Sequence, residues 1–156
     1  MDSSLFESAL EIAENLDLLF NKTRSITMTQ RDVPGLTRSA LPLLNKHGVR
    51  AITVGVNGAT APPAVPRIFT WKDLNSGASV LGMWNAGGYG DISIDQAVIA
   101  PGMEDEAMLF FFRGDNEGPP DANQVIETFA QVAKEFPNAE IIATSFDTFV
   151  SRVLAN

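Results

Sequence analysis

The sequence predicts an α/β domain, a mostly parallel sheet with flanking helices. Three observations carry this. Short apolar, β-branched runs alternate with segments of helical period along the whole chain. Most of those runs are near-continuous rather than alternating, as in parallel strands buried on both faces. The first run stops at Asp32, turns on Val33-Pro34-Gly35 and gives way to a helical pattern, the strand–loop–helix unit of such folds. At 156 residues the chain is read as one domain, 1–156, long enough to bury a core.

Ser4-Leu-Phe-Glu7 is a capping-box pattern, and Leu5, Ala9, Ile12, Ala13, Leu16 and Phe20 then recur at helical spacing. Residues 4–21 are therefore expected to form an amphipathic helix whose polar face carries Glu7, Glu11, Glu14 and Asp17. A strand is expected at 25–29 and a helix at 37–47, ending at Gly48 as a C′ glycine. Pro42 predicts either a kink or a late start with the proline in the first turn.

Residues 50–56 read as a buried strand, followed by a Pro-rich loop over 57–66. Strands at 68–71 and 78–84 flank Asn75-Ser-Gly77, a hairpin turn signal. The loop Asn85-Ala-Gly-Gly-Tyr-Gly90 follows. Met108-Leu-Phe-Phe-Phe112 is the most apolar expected strand, and it leads into a loop through Pro120. Asp121 or Asn123 caps a helix through Glu135, with Val125, Ile126, Phe129 and Val132 expected to face inward. Residues 140–144 are a last expected strand, and Ser145 caps a helix over 146–155.

The net charge of −8 argues against nucleic acid and anionic membranes as partners. No cysteine is present, which removes disulfides and thiolate chemistry. No apolar run approaches the ~20 residues that span a bilayer. The first residues carry neither a basic n-region nor an apolar h-region, so no secretory signal is expected; the cytosol or an organelle interior is the expected compartment.

Loops at 30–37, 57–66, 85–91 and 113–121 all follow expected strands, so they are expected to share one rim, where α/β folds place ligands. Asp32 and Asp115 stand at two of these strand ends and Asn57 at a third. Tyr89 is the best placed aromatic for exposure, whereas Trp71 and Trp84 lie in strands and read as core. Arg113 is placed to pair with Asp115 or Asp32. A plain alternative for Asp32 is that it only caps the next helix or opens its turn. His47, just before Gly48, is expected to serve the surface or the helix end rather than a metal.

Gln30-Arg-Asp32-Val-Pro-Gly-Leu-Thr37, followed by a helix, a strand and Phe69-Thr-Trp71, resembles the nucleophile segment of glycoside hydrolase family 38, with its Q-x-D-P-F-G-H-S motif. Leu109-Phe-Phe-Phe-Arg-Gly114-Asp115-Asn116 and the stretch Ala139 to Phe149 resemble that fold's strand ending in Gly-Asp-Asp and the strand–helix after it. The D-V-P-G and G-D-N-x-G-P variants look closer still to an uncharacterised family with the same barrel. The resemblance runs from about residue 5 onward and corresponds to the later half of a seven-stranded β/α barrel. It therefore implies a partial, half-barrel fold.

By that resemblance Asp32 takes the position of the nucleophile, and Asn116 that of the general acid/base, where the family has aspartate. Asparagine neither attacks nor donates a proton as a carboxyl does, so Asp115 takes the role only if its loop re-aims it. The family's zinc needs a His-x-Asp pair and a later histidine. This chain has one histidine, and Leu36 stands at the motif's own histidine position. No metal or other cofactor is expected, zinc only with ligands from another segment or chain.

Two function classes follow. The first is a non-catalytic binding or assembly subunit derived from such a barrel, with a carbohydrate as the ligand of its rim. The second is an α-mannosidase-like retaining glycoside hydrolase, a fragment or an oligomer-completed site, with Asp32 as nucleophile, Asp115 as its catalytic companion, and Asn57, Tyr89, Arg113 and Asn116 contacting substrate. A half barrel leaves open sheet edges, so a second copy or a larger partner is expected to cover them.

Overall fold

Four strands form the sheet: β1 (Thr27–Asp32), β2 (Ala51–Val56), β3 (Ile68–Lys72) and β4 (Ser79–Asn85), in the spatial order β1-β2-β4-β3. β1, β2 and β4 run parallel, and β3 pairs antiparallel with β4. Helices flank this mostly parallel sheet, so the α/β class stands. The computed structural model describes residues 2–156 except Pro34, Pro62, Ala86, Gly87, Gly90, Asp91, Ser93 and 113–116. Among the described residues, no helix is long and apolar enough to cross a membrane.

β2 is the central strand, and all six of its residues are buried. Alternation sends Ile52, Val54 and Val56 to one face, where Val80 and Trp84 of β4 join them. That face is covered by α1 (Ser3–Leu19) and α2 (Leu41–Lys46) through Leu10, Leu41 and Leu44. Ala51 and Met83 point to the other face, against Val98, Met108 and Phe110 and against Phe149 and Val150 of the final helix. Trp71 and Trp84 both belong to the first cluster, as core aromatics.

Local signals place several elements where expected. Pro42 lies in the first turn of α2, after a 3-10 turn over Arg38–Ala40, and Gly48 follows the helix with φ +73. In the hairpin, Asp73 accepts hydrogen bonds from the Ser76 amide at 3.0 Å and its hydroxyl at 2.6 Å, while Gly77 supplies φ +76. α3 (Ala122–Glu135) starts at a capping box of Asp121 and Gln124, and α4 (Phe146–Ala155) at Ser145.

Other expectations are corrected. The cap of α1 is Asp2 rather than Ser4, because the Asp2 carboxylate accepts from the Ser4 and Leu5 amides at 2.9 and 3.2 Å. The face of α1 is also reversed: Leu5 and Ile12 are 72% and 61% exposed, while Phe6 and Leu10 pack inward. The acidic residues dock the helix. Glu7 pairs with Lys46, Glu14 pairs with Arg24, and Asp17 Oδ2 accepts from the Ser25 amide at 2.9 Å. The first strand is Thr27–Asp32 rather than 25–29, since its register pairs Thr27 with Ala51 and Asp32 with Val56.

Neither 108–112 nor 140–144 joins the sheet among the described residues. The first contributes only a bridge from Met108 to Val98, and the second forms no ladder. Apolar composition makes both good strand candidates, but a strand needs a partner edge, and both segments lie off the sheet. Among the described residues α3 is only thinly covered: it buries Val132 alone and leaves Ile126 66% exposed.

Candidate functional site

β1, β2 and β4 end together, so their carboxyl ends form one rim. Asp32 is the last residue of β1 and has φ +68. The Val33 amide donates to the Arg31 carbonyl at 2.8 Å, so Asp32 is the middle of a γ-turn of the positive-φ kind, which is rare and strained. Its neighbours hold it there. Gln30 Nε2 donates to the carbonyls of Val33 at 2.8 Å and Gly35 at 2.9 Å. Asn57, just past β2, donates to the Asp32 carbonyl from its side chain at 2.9 Å and its amide at 3.3 Å.

The Asn57 side-chain oxygen accepts from the Ala59 amide at 3.1 Å and the Thr60 hydroxyl at 3.2 Å. Both ends of this amide are thus used to position the rim. Tyr89 reaches across from the loop after β4 and donates its phenol O–H to Asp32 Oδ1 at 2.5 Å. The Tyr89 ring also packs on Phe112, with centroids 5.0 Å apart. The rim therefore offers an exposed carboxylate on a strained turn beside two aromatic rings.

Asp32, Asn57 and Tyr89 are brought together as the sequence expected; Arg113, Asp115 and Asn116 lie outside the described residues. Arg31 is a further residue of this strand end that no motif in the sequence marks. Strand alternation puts it opposite Asp32 on the sheet's second face, beside Gly55 in the pairing register. Its guanidinium lies over the rings of Phe110 and Phe146, 5.8 and 6.0 Å from their centroids. Burial lowers the Arg31 pKa from its ordinary value, although an arginine stays charged. The available signal was its position next to Asp32, together with a glycine in the neighbouring strand.

Among the described residues no group of three or more His, Cys, Asp and Glu side chains is placed to hold a metal ion. His47 is committed at the other end of the sheet, where it caps α2 and is buried rather than on the surface. Its Nδ1 lies 2.6 Å from Glu14 Oε1 and its Nε2 lies 3.2 Å from Glu7 Oε1. Both ring nitrogens of His47 are thus taken up by carboxylates.

The Glu14 carboxylate, and with it Glu7, raises the His47 pKa against the opposing effect of burial. Stability from this pairing is fully present below the unfolded imidazole value, about 6.5, and is lost as pH rises through the raised folded value. Thermal melting across that window is expected to show a loss in the wild-type protein that His47→Gln lacks. A loss of equal size in both would remove His47 as its source.

No known protein family, curated protein or solved structure matches the chain.

Proposed function

We propose that the chain is a non-catalytic binding subunit, derived from a glycoside hydrolase-like β/α barrel and related to its later half, that takes a carbohydrate at the strand-end rim. The observation that carries this reading is the Tyr89–Asp32 hydrogen bond at 2.5 Å, which holds an exposed carboxylate beside aromatic rings. Sugar hydroxyls donate to carboxylates, and the apolar face of a sugar ring packs on aromatics. Among the described residues only Tyr89 donates to this carboxylate, so acceptor capacity remains for a ligand.

The uncovered apolar residues of α1 and α3 support the assembly side of the same reading. So do the two sheet edges at β1 and β3, where a second copy or a larger partner is proposed to sit. The alternative keeps Asp32 as the nucleophile of a retaining α-mannosidase-like site. That chemistry needs a second carboxyl roughly 5–5.5 Å away, the part assigned to Asp115.

One sample separates these readings. Mannose binding by calorimetry is expected to weaken about tenfold in Asp32→Asn, the loss of one hydrogen bond to a charged group. Light scattering of the wild-type protein is expected to give a mass above that of one chain. Unchanged affinity in the variant would overturn the rim assignment, and a strict monomer would remove the assembly part. Hydrolysis of an aryl α-mannoside that disappears in Asp32→Asn would establish the alternative.

A further inference from the structure

We infer that Arg31 is the seat for an anionic group, so that the ligand of the rim is an acidic sugar held through its carboxylate or phosphate. This rests on the carbohydrate reading of the rim and names the ligand's chemical class.

The argument begins with what surrounds the guanidinium. Among the described residues its one hydrogen bond goes to the carbonyl of its own neighbour, Gln30, at 3.3 Å. Two phenyl faces, from Phe110 and Phe146, supply cation–π attraction. Neither face accepts the five N–H bonds that arginine can donate. Among the described residues no carboxylate lies within ion-pair distance of Arg31, nor of the exposed Arg50 or of Arg67, which donates to Gln96 instead, whereas Arg24, Arg38 and Arg152 each have one. Those three side chains are 52%, 59% and 52% exposed, so the paired arginines are the ones that water already serves well.

Arg31 is half-buried, yet among the described residues it has no counter-ion. A charge in that position is costly until an oxyanion meets it. Guanidinium groups pair bidentately with carboxylate or phosphate, and among the described residues only Nη1 of Arg31 makes a hydrogen bond.

Geometry ties this seat to Asp32. A methyl group placed on Gly55 would meet Arg31 Nη1 and Tyr89 Cα, each at 3.1 Å. The Tyr89 backbone therefore passes beside the guanidinium, while its phenol rests on Asp32. The ligand of this proposal spans the strand end at Tyr89, with its hydroxyls toward Asp32 on one face and its anionic group toward Arg31 on the other.

The test titrates the intact chain with glucuronate, glucose 6-phosphate, glucose and inorganic phosphate, followed by calorimetry. At least one acidic sugar is expected to bind about tenfold tighter than glucose, with glucuronate reporting a carboxylate seat and glucose 6-phosphate a phosphate seat. Arg31→Gln is expected to erase that preference and Arg31→Lys to keep part of it, with thermal melting of both variants verifying the fold. The wild-type ratio decides the matter even if a variant fails to fold. Equal affinity for glucose and both acidic sugars overturns the inference and leaves the rim reading standing. Phosphate binding with no sugar binding overturns the acidic-sugar ligand through loss of the carbohydrate reading, and binding of no probe overturns both.

Discussion

Gly55→Ala is expected to dismantle the rim while leaving most of the core in place. Gly55 sits in the central strand, where every residue is buried, and an added Cβ would lie 2.7 Å from the Gly88 carbonyl oxygen. That neighbour is backbone, so it cannot rotate away as a side-chain tip would. The Gly88–Tyr89 segment must lift, which pulls the phenol off Asp32 and shifts the guanidinium of Arg31. Overpacking of this kind costs about 1–3 kcal/mol. Tyr89 is the chain's one tyrosine, so fluorotyrosine labelling yields a single 19F resonance from the rim. The variant is expected to move that resonance and to weaken the proposed sugar binding along with it. An unmoved resonance, with stability equal to wild type, would show that the loop does not rest on Gly55.

Leu44→Ala is expected to cost about 2–5 kcal/mol, the usual range for emptying a fully buried leucine site. α2 has only six residues, and Leu41 and Leu44, both fully buried, are what it inserts into the cluster with Ile52, Val54 and Trp84. Its other anchor is Asn45, whose side chain exchanges two hydrogen bonds with Ser79 at 2.8 and 3.0 Å. A helix this short has little stability of its own, so packing must supply it. Against a typical total of about 5–15 kcal/mol the loss is large. Denaturant unfolding measures it, with Leu74→Ala as the control because Leu74 is 82% exposed. Equal midpoints for the two variants would place the core elsewhere.

Local chemistry was legible in the sequence. The caps at Asp121 and Ser145, the turn at Asn75-Ser-Gly77, the proline in the first turn of α2 and the glycine after it all act over three or four residues. The same holds for Asp32, whose place at a strand end follows from the turn beside it. Its γ-turn and its phenol partner do not follow, since the partner is separated by 57 residues of chain. Arg31 was hidden for a related reason: its environment comes from Phe110, Phe146 and the absence of a side chain at Gly55.

Periodicity groups residues onto one face of a helix, but it does not say which way that face points. α1 docks through Phe6 and Leu10 together with Glu7 and Glu14 and leaves Leu5, Ile12 and Leu16 exposed, and among the described residues most of the apolar stripe of α3 stays uncovered. Composition likewise marks 108–112 and 140–144 as able to be strands, while strand formation depends on an available edge supplied from far along the chain. Short-range hydrogen bonding was thus determined by the sequence itself. Facing, pairing and the makeup of the rim were decided by tertiary structure, because each depends on groups brought together only when the chain folds.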